Sequence, residues 1–517
     1  MEPLIAALLC ADAYDHPVEG LQLLETHISW ILLTGPYAYK IKKPVDLGFV
    51  DFSSPAKRHH FCQEELRLNR RLAPDLYLGL RTIHGPVGRA RFHGDGPPLE
   101  VAVQMRQFRQ EDLLPAVLRR GLPAAELHAL IEDLAGRLAV FHAAAPVAPA
   151  SGEDGSPGRV MGPALANLTV LERILGPDRR LPPLRRWVEA EGARLTATFV
   201  RRRRQGRVRE GHGDLHLGNL VLHQGRILPF DCLEFAPSLR WIDVFSDLAF
   251  LAMDLCRVRR RTLAVALLNR WLADSGDYGA LASWRWYAAY RALVRAKVSA
   301  LRLEQGGAAL AAAERRRLRG DLRAYLAVAA AAGRSRTPLL LITHGVSGSG
   351  KSHRARQLAR GLGWLHIRSD VERLRLFGRW GEGCGPPLQG DAYDPAVSER
   401  LYRERLSDCC AAALAAGFSL ICDATFLKRW QRRHFRELAL GLGARFAILP
   451  CDCPPEEARR RIRARRRGGA DPSEADGAVL EAQLRQLEPL QDWERQCSLT
   501  GEGEAEDGLL RALAALA

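Results

Sequence analysis

One eight-residue stretch constrains this chain more than any other, because Gly345 to Ser352 reads GVSGSGKS and fits the pattern G-x-x-x-x-G-K-[ST]. A short apolar run over 339–343 precedes it, and a helical pattern over 353–362 follows it. This order of strand, loop and helix is the context that a phosphate-binding loop requires. A linker rich in Gly and Ser would have no reason to end in Lys-Ser between a strand and a helix. The stretch therefore predicts a nucleotide phosphate site.

The predicted phosphate site uses backbone groups as well as side chains. Glycines let N–H groups converge on phosphate oxygens, and the N-terminus of the following helix adds favourable partial charge. Lys351 would reach the β- and γ-phosphates, and the Ser352 hydroxyl would bind Mg²⁺. ATP and Mg²⁺ are thus the predicted cofactors. The predicted nucleotide-binding residues of the loop are Gly345, Val346, Ser347, Gly348, Ser349, Gly350, Lys351 and Ser352.

The length and composition favour a multidomain cytoplasmic protein. At 517 residues the chain exceeds what one core accommodates, so two or three domains are expected. Its 47% hydrophobic and 26% charged residues are typical of a globular protein. No apolar run is long enough to span a bilayer, and the start lacks the basic segment of a secretory signal. The eleven cysteines show no paired spacing, which favours reduced thiols.

The formal net charge of +16 would suit an acidic partner such as nucleic acid. Arginine and alanine are frequent along the whole chain, however, so coding bias accounts for part of this charge. Nucleotide phosphates alone would also justify local basic patches. A nucleic-acid partner therefore stays open as an alternative to a small molecule.

Residues 1–110 are predicted to form a strand-rich lobe. Lys40 and Lys42 alternate with apolar neighbours, so both side chains lie on the same face of their strand. Glu64 and Glu65 lie on a predicted helix that follows a polar break. The predicted elements are strands over 28–33, 38–42 and 101–105 and a helix over 56–72.

Residues 111–335 are predicted to be mostly helical, with short strands and tight turns between 211 and 235. A linker is predicted over 333–338. After it, strands alternate with helices, which indicates a parallel sheet. The predicted domains therefore cover 1–335 and 336–517. The predicted helices of the first domain's second lobe are 125–145, 245–258, 262–274, 283–304 and 308–332.

A second set of chemically suitable residues lies in the run HGDLHLGN, which begins at His212, and in Asp231, which follows it. Asp214 could accept a proton from a substrate hydroxyl. Asn219, further round the same loop, and Asp231, at the end of the next hairpin, could ligate one Mg²⁺. This is the arrangement of a kinase catalytic loop and its metal-binding Asp. His212 is expected to hold the loop, and Asp247 to belong to a helix start or a polar network.

The run HGDLHLGN resembles the catalytic loop of the aminoglycoside phosphotransferase and choline kinase families, which have a protein-kinase-like fold. The resemblance covers residues 20–310 and is strongest over 211–235. It implies that Asp214 is the general base and that Asn219 and Asp231 are metal ligands.

The same resemblance implies a lysine that grips the nucleotide phosphates and a helix-borne glutamate that pairs with it. The lysine is Lys40 or Lys42, and the glutamate is Glu65, with Glu64 as the alternative. The turn that would cover the phosphates departs from the family pattern, because residues 25–29 read ETHIS and contain no G-x-G-x-x-G. Hydroxyl groups would have to act there, or the lobe is a degenerate module with structural value only.

Two carboxylates are predicted to act beside the phosphate loop. Asp370 follows the predicted second strand, where it would orient or deprotonate an acceptor hydroxyl, with Arg373 holding the acceptor. Asp423 ends a strand over 419–423 and would lie near Mg²⁺. Helix capping or simple solvation is the other interpretation of each carboxylate.

The segment 459–467 reads RRRIRARRR and carries seven arginines in nine positions. Some of these should close over the triphosphate as a lid, because a guanidinium inserted at the transferring phosphoryl group is an established device. Arg463 and Arg467 are the predicted lid arginines.

The pattern over 338–500 resembles the P-loop kinase group that contains gluconate kinase-like, zeta-toxin-like and polynucleotide-kinase-like domains. The run YKIKKPVDLGFVDF at 39–52 is similar to a family of bacterial fusions between an aminoglycoside phosphotransferase-like domain and an ATP-binding P-loop domain. The implied fold is an α+β protein-kinase-like two-lobed domain followed by an α/β P-loop NTPase domain with a parallel sheet.

The resemblance implies an ATP-dependent phosphotransferase with two nucleotide sites that acts on hydroxyl groups of small-molecule acceptors. Two alternatives stay open. One is a single P-loop kinase with a catalytically weak kinase-like module that binds substrate or regulates. The other is a nucleic-acid 5′-hydroxyl kinase, which the charge would favour.

Overall fold

Contacts between Cα atoms divide the chain into two units, each of which gathers segments from distant parts of the sequence. The computed structural model describes residues 2–48, 50–334, 337–383, 385–468, 472–499 and residue 513, including all of their side chains except those of residues 308 and 466–468. The first unit consists of Met1–Leu130, Ala144–Gly155 and Arg203–Asp247. The second consists of Ile131–Ala143, Ser156–Arg202 and Leu248–Ala517.

The amino-terminal lobe in the first unit is a five-stranded sheet in the order β1-β2-β3-β5-β4, with every neighbouring pair antiparallel. The turn between β2 and β3 contains Gly35 at φ +99°, a conformation that glycine adopts without steric cost. The elements are α1 (Pro3–Leu8), β1 (Gln22–Glu25), β2 (Ser29–Leu33), β3 (Tyr37–Lys42), α2 (Pro55–Asn69), β4 (Tyr77–His84) and β5 (Pro98–Arg106).

Side chains alternate across β3 as its sequence predicts. Tyr39 and Ile41 belong to the core on the face that α1 covers. Ala38 belongs to the core on the opposite face, which α2 covers. Lys40 and Lys42 are buried on that second face and therefore meet the helix that carries Glu65.

The middle of the chain is mostly helical, as predicted, with short antiparallel strand pairs β6–β9 and β7–β8 around the HGDLHLGN run. The helices are α3 (Leu114–Arg120), α4 (Ala124–Ala144), α5 (Pro157–Leu175), α6 (Leu181–Arg194), α7 (Thr196–Arg204), α8 (Pro237–Arg240), α9 (Val244–Arg257), α10 (Arg261–Ser275), α11 (Trp284–Gly306) and α12 (Ala312–Ala332). The strands are β6 (Val208–Glu210), β7 (Leu220–His223), β8 (Arg226–Pro229) and β9 (Trp241–Asp243).

The carboxyl-terminal part contains the predicted parallel sheet, four strands in the order β11-β12-β10-β13. Helix α13 packs on one face through Ala355 and Leu358, which meet Leu339 and Leu341 of β10. The strands are β10 (Leu339–His344), β11 (Leu365–Arg368), β12 (Leu420–Asp423) and β13 (Arg445–Pro450). The helices are α13 (Lys351–Leu362), α14 (Ser369–Leu376), α15 (Pro395–Arg400), α16 (Ser407–Ala415), α17 (Arg429–Gly441), α18 (Pro455–Gly468), α19 (Gly477–Gln486) and α20 (Asp492–Gln496).

The chain thus combines a kinase-like amino-terminal region with a P-loop kinase-like region, and the predicted fold class is confirmed. The boundary at 335/336 stays a prediction. Among the residues described, no helix is both long and apolar enough to cross a membrane.

Candidate active sites

The two lysines of β3 share one glutamate but have different surroundings. Lys40 Nζ lies 2.7 Å from Glu65 Oε1 and 2.6 Å from Asp231 Oδ1. Lys42 Nζ lies 2.8 Å from Glu65 Oε2 and also contacts Glu234. The Lys42 side chain is 0% exposed and that of Asp231 is 44% exposed. Lys40 therefore lies beside a solvent-accessible carboxylate, whereas Lys42 is enclosed between two buried ones.

The charges of this cluster are mutually dependent. Burial on its own lowers the pKa of Lys40, but the carboxylates of Asp231 and Glu65 outweigh burial and raise it well above its usual value. Burial likewise opposes the charge of Lys42, and Glu234 and Glu65 raise its pKa. Burial raises the pKa of Glu65 by itself, but the two lysines reverse that effect and lower it. The lysines and Glu65 are therefore ionised at neutral pH.

Glu64, the alternative partner, belongs to a different cluster. Its carboxylate lies 2.8 Å from Arg67 and 3.2 Å from Arg240. Glu65 is the glutamate of α2 that the helix turns toward β3. A lysine of β3 is thus paired with a glutamate of α2, which is the arrangement that the resemblance to the aminoglycoside phosphotransferase family implies.

The side chains of Asp214 and Asn219 meet at the predicted catalytic loop. Asn219 Nδ2 donates to Asp214 Oδ2 and to the Asp214 carbonyl, each at 3.1 Å. His216 Nε2 lies 3.4 Å from Asp214 Oδ2. Because His216 Nδ1 accepts a hydrogen bond from the N–H of Gly218 at 2.9 Å, its Nε2 carries a proton that points toward Asp214. The Asp214 carboxylate is therefore oriented from two sides.

Asp231 has a left-handed backbone conformation. Its φ is +61°, which is uncommon for a residue with a side chain. Its N–H donates to the Tyr77 hydroxyl at 3.1 Å, and the next N–H, that of Cys232, donates to Asn69 Oδ1 at 2.9 Å. Such a conformation costs on the order of 1–3 kcal/mol and persists only where the surroundings hold it. Here two side chains hold it and turn the carboxylate toward Lys40.

His212 joins the segments that carry these two aspartates. Its Nδ1 accepts from the Asp214 N–H at 3.3 Å, and its Nε2 donates to the Phe230 carbonyl at 3.0 Å. Burial lowers the pKa of His212, which keeps the ring neutral as this pair of contacts requires. Asp247 in turn accepts from the N–H groups of His212 and Gly213 at 2.6 and 2.9 Å. The geometry agrees with the structural roles expected for both residues.

The β1–β2 turn differs from a glycine-rich phosphate loop. Thr26 Oγ1 accepts from the N–H groups of Ser29 and Ile28 at 2.9 and 3.4 Å. The Thr26 N–H donates to the Ser29 carbonyl at 2.9 Å. The N–H groups of Thr26, Ile28 and Ser29 are thus engaged within the turn itself.

The glycines of the phosphate loop are required by close backbone contacts. Gly345 has φ +141°, and a Cβ there would lie 2.4 Å from the Cys451 carbonyl oxygen. Gly348 has φ +82°, and a Cβ there would lie 2.6 Å from the Ala458 carbonyl oxygen. Gly350 precedes α13 at φ +94°. Larger residues at the first two positions would displace the loop from the strands and helix that hold it.

The polar groups inside the loop suit an anionic ligand. Lys351, the first residue of α13, is buried, and its Nζ donates to the Val346 carbonyl at 2.7 Å. Burial lowers the pKa of Lys351, and the charge of Asp423 opposes that shift. Ser349 Oγ is buried and has no hydrogen-bond partner among the described residues. A phosphate oxygen would satisfy this hydroxyl and complete the neutralisation of the lysine, so the residues present fit a nucleotide phosphate.

Asp423 lies at the end of β12, beside the phosphate loop. The Gly345 N–H donates to the Thr425 carbonyl at 3.1 Å, which joins the loop to this strand end. Asp423 Oδ2 lies 3.2 Å from His366 Nε2 and 3.8 Å from Arg368 Nε. Burial raises the pKa of Asp423, but the His366 hydrogen bond and the charges of His366, Arg368 and Lys351 lower it to about 2. The carboxylate is therefore ionised at any physiological pH.

Asp370 has the opposite electrostatic character. It lies in the first turn of α14, where burial and the charge of Asp423 raise its pKa while Arg368 and Arg373 oppose the rise. Arg373 donates to the Ala392 carbonyl at 2.6 Å, and its guanidinium lies 4.8 Å from the centre of the Tyr393 ring. Two aspartates with pKa values shifted apart are a frequent feature of acid–base sites.

Arg461 of α18 contacts the phosphate loop. Its Nη1 is 3.5 Å from the Gly348 carbonyl and 3.3 Å from where a Cβ of Gly350 would be. Arg463 is exposed, and the side chain of Arg467 lies outside the described residues. Ala458 and Ile462 are the buried positions of α18, and Arg461, whose side chain is itself 48% exposed, lies at the edge of that buried face.

No cluster of three or more His, Cys, Asp or Glu placed to hold a metal occurs in the part of the chain that the structure describes. Mg²⁺ at phosphoryl-transfer sites takes one or two carboxylates together with substrate phosphates and water. Asn219 with Asp231, and Ser352 with Asp423, are donor sets of that composition and fit such an ion.

Several residues of these sites were not predicted from the sequence. Glu234 completes the pairing of Lys42, Tyr77 holds Asp231, and His366 holds Asp423. Gln483 Oε1 accepts from the Ser347 N–H at 2.7 Å. Glu234, Tyr77, His366 and Gln483 each lie far along the chain from the residue they contact or in a segment without a motif. Only His216 had a local signal, because it lies inside HGDLHLGN.

Comparisons with known proteins find one family model for each of two parts of the chain. The model of the family described as "Phosphotransferase enzyme family" matches residues 50–290, and that of the family described as "AAA domain" matches residues 340–490. The fold and the family matches define a protein of the kinase and phosphotransferase class. "Uncharacterized protein Rv2004c" of Mycobacterium tuberculosis H37Rv is 31% identical over 478 residues, which is 90% of this chain and 91% of that protein.

"Uncharacterized protein Mb2027c" of Mycobacterium bovis gives the same identity and coverage. The chain belongs to the family of these mycobacterial proteins and joins a phosphotransferase-family domain to a P-loop kinase-like domain.

Solved structures similar to this chain fall into two groups. A gluconokinase from Sinorhizobium meliloti 1021 is 22% identical and covers 35% of this chain and 91% of its own, with a TM-score of 0.24. A choline/ethanolamine kinase family protein from Mesorhizobium loti is 12% identical and covers 61% of this chain and 94% of its own, with a TM-score of 0.34. Both TM-scores lie below 0.5.

Proposed function

We propose that the chain is an ATP- and Mg²⁺-dependent phosphotransferase with two nucleotide sites, each transferring the γ-phosphoryl group to a hydroxyl of a small-molecule acceptor. One observation carries the proposal. The hydrogen-bonded cluster of the first unit retains a proton acceptor, two metal-ligand candidates and a lysine paired with a glutamate, while the second unit has a complete phosphate loop.

At the first site Asp214 would accept the proton of the acceptor hydroxyl, with His216 and Asn219 orienting its carboxylate. Asn219 and Asp231 would hold Mg²⁺, which when bound neutralises charge on the transferring phosphoryl group. Lys40 would bind the nucleotide phosphates while Glu65 keeps its ammonium group in place. Positioning and electrostatics would supply most of the acceleration.

At the second site Lys351 would bind the β- and γ-phosphates, and Ser352 with Asp423 would hold the metal. Asp370 would accept the proton of the acceptor, because the burial that raises its pKa makes it a better base than an exposed aspartate. Arg373 would hold the acceptor, and Arg461 would stabilise charge on the transferring phosphoryl group from the lid.

The test is phosphoryl transfer from γ-labelled ATP to a panel of hydroxylated small molecules. Asp214→Asn is expected to lower transfer to one group of acceptors by about 10²–10⁴-fold, as the loss of a positioned base does. Lys351→Ala is expected to remove transfer to the other group, because that site loses its phosphate-binding lysine. Neither substitution should change the circular dichroism spectrum. Arg460→Ala serves as a control, because this lid arginine is 78% exposed and pairs only with its neighbour Glu457 among the contacts seen for it. Transfer that survives the double variant would refute the site assignments.

A second candidate function is a single P-loop kinase whose amino-terminal lobe binds substrate or regulates. The observation that favours it is the β1–β2 turn, where Thr26 engages the N–H groups of Ile28 and Ser29, which a phosphate-covering loop would offer to the nucleotide. This alternative predicts that Lys351→Ala removes all transfer and that Asp214→Asn removes none.

A further inference from the structure

Helix α10 holds the outer strand of the P-loop sheet through one side chain. Asn269 Oδ1 accepts from the His366 N–H at 2.8 Å, and Asn269 Nδ2 donates to the Trp364 carbonyl at 3.1 Å. Strand β11 is an edge of the four-stranded sheet, so its outward N–H and C=O groups need partners from elsewhere. The single amide supplies the donor and acceptor that a neighbouring strand would supply.

The residue held in this way touches the proposed metal ligand. His366 Nε2 lies 3.2 Å from Asp423 Oδ2, and both side chains are less than 10% exposed, at 9% and 3%. A hydrogen bond from such a ring orients a carboxylate and fixes its charge. The backbone of His366 is thus bonded to Asn269 and its ring to Asp423, which connects α10 to the phosphate site in two steps.

The carboxyl end of the same helix holds α14, which carries Asp370. The Trp380 indole N–H donates to the Ala273 carbonyl at 2.9 Å. Arg405 donates to the Gly276 carbonyl at 3.0 Å and to Glu372 of α14 at 2.6 Å. All of these residues belong to the second unit. Helix α10 therefore fixes the surroundings of both carboxylates of the P-loop site.

We propose that Asn269 is a positioning residue for the P-loop phosphotransfer site, acting through His366 on Asp423. Asn269 lies within the residues that the phosphotransferase family model matches, 50–290, and outside the P-loop region. The P-loop site is thus completed by a side chain of the other domain family. This inference rests on the proposed function of the P-loop site.

The experiment uses the full chain with Asp214→Asn as background, so that turnover reports the P-loop site alone. Asn269→Leu keeps the branching of the side chain at Cγ but removes both hydrogen bonds to β11. It is expected to lower kcat about 10-fold and to raise the Mg²⁺ concentration needed for half-maximal rate, as loss of a supporting residue around a metal ligand does. Asn269→Asp retains the acceptor for the His366 N–H and should show a smaller loss.

A matched control breaks a different contact of the same neighbourhood. Arg360 of α13 pairs with Glu132 of α4 at 2.8 Å, and both side chains are partly exposed. Arg360→Ala should leave kcat and the Mg²⁺ requirement unchanged. If the substitutions only loosened the packing, kcat and the Mg²⁺ requirement would change in Arg360→Ala as well as in Asn269→Leu. This outcome would overturn a specific positioning role for Asn269.

A double-mutant cycle tests the route through His366. If Asn269 acts by placing His366, then Asn269→Leu combined with His366→Ala should lose no more activity than His366→Ala alone. Losses that multiply would overturn the proposal, as would an unchanged rate in both Asn269 variants while Lys351→Ala abolishes turnover. Turnover that survives Lys351→Ala refutes the proposed function itself and removes the reaction that Asn269 would support.

Discussion

Lys42→Met and Lys40→Met are expected to have opposite consequences, although the two lysines lie on one face of one strand. Methionine keeps the length of the lysine stem and removes the charge. In Lys42→Met the carboxylates of Glu65 and Glu234 lose a cation in a site where the lysine is 0% and Glu234 3% exposed. Breaking a buried ion pair typically costs about 3–5 kcal/mol. Because a buried carboxyl can take up a proton instead, the lower end of that range is expected.

In Lys40→Met, Glu65 keeps Lys42 as its partner, and Asp231 is 44% exposed and can be hydrated. The expected cost in stability is therefore about 1 kcal/mol or less. Lys40 is, however, the lysine beside the proposed metal ligand, so its loss should abolish nucleotide binding at the first site. The two variants thus separate stability from binding.

Native-state hydrogen exchange of the β3 amides measures the first effect, because it reports the local unfolding free energy of the five-stranded sheet. Calorimetry with an ATP analogue measures the second. The reasoning would be refuted if Lys42→Met kept the stability of the wild type but lost binding of the ATP analogue. Lys42 would then be the lysine that binds the nucleotide phosphates.

Three further predictions concern single residues. Gly345→Ala should destabilise the P-loop region by at least about 1–3 kcal/mol, because φ is +141° and the Cys451 carbonyl oxygen would lie 2.4 Å from the new Cβ. It should also abolish nucleotide binding at the phosphate loop. Thermal unfolding measures the first effect and calorimetry the second. Glu65 has a lowered pKa in the folded protein, so its contribution to stability is present above its ordinary pKa and is lost as the pH falls below it. The stability difference between wild type and Glu65→Gln should therefore shrink between pH 7 and pH 3 in thermal unfolding. Arg461→Ala should lower the P-loop transfer rate by about 10³-fold or more, whereas Arg460→Ala should leave it unchanged in the same labelled-ATP assay.

The elements that local chemistry determines were predictable. The loop at Gly345 to Ser352 joins a strand directly to a helix through positive φ values at Gly345, Gly348 and Gly350, and the motif records this local need for glycine. The shared face of Lys40 and Lys42 follows from strand alternation, and both side chains do reach Glu65.

The partners that decide roles were not predictable, because they come from distant segments. Nothing near Lys42 indicates Glu234, which encloses it, and nothing near Asp423 indicates His366 or Asn269. Strand β4 was absent from the predicted elements of the amino-terminal lobe. It carries a register shift against β5, and most of its side chains are only partly buried, so its sequence lacks a clear alternation of buried and exposed residues.

The segment of seven arginines carries a local signal of its own orientation. Ala458 and Ile462 are the apolar positions of an otherwise charged helix, and they mark the face that packs inward. Helical periodicity then places Arg461 at the edge of that face and Arg463 further from it. The predicted roles of the catalytic and binding residues stay predictions until they are measured.

The most direct test of two nucleotide sites is the binding stoichiometry of a non-hydrolysable ATP analogue with Mg²⁺, measured by calorimetry on wild type and on Lys351→Ala. Two sites that fall to one are predicted, and the remaining site should vanish when Lys40→Met is added. One site in wild type that falls to none in Lys351→Ala would contradict the account, because the amino-terminal lobe would then bind no nucleotide.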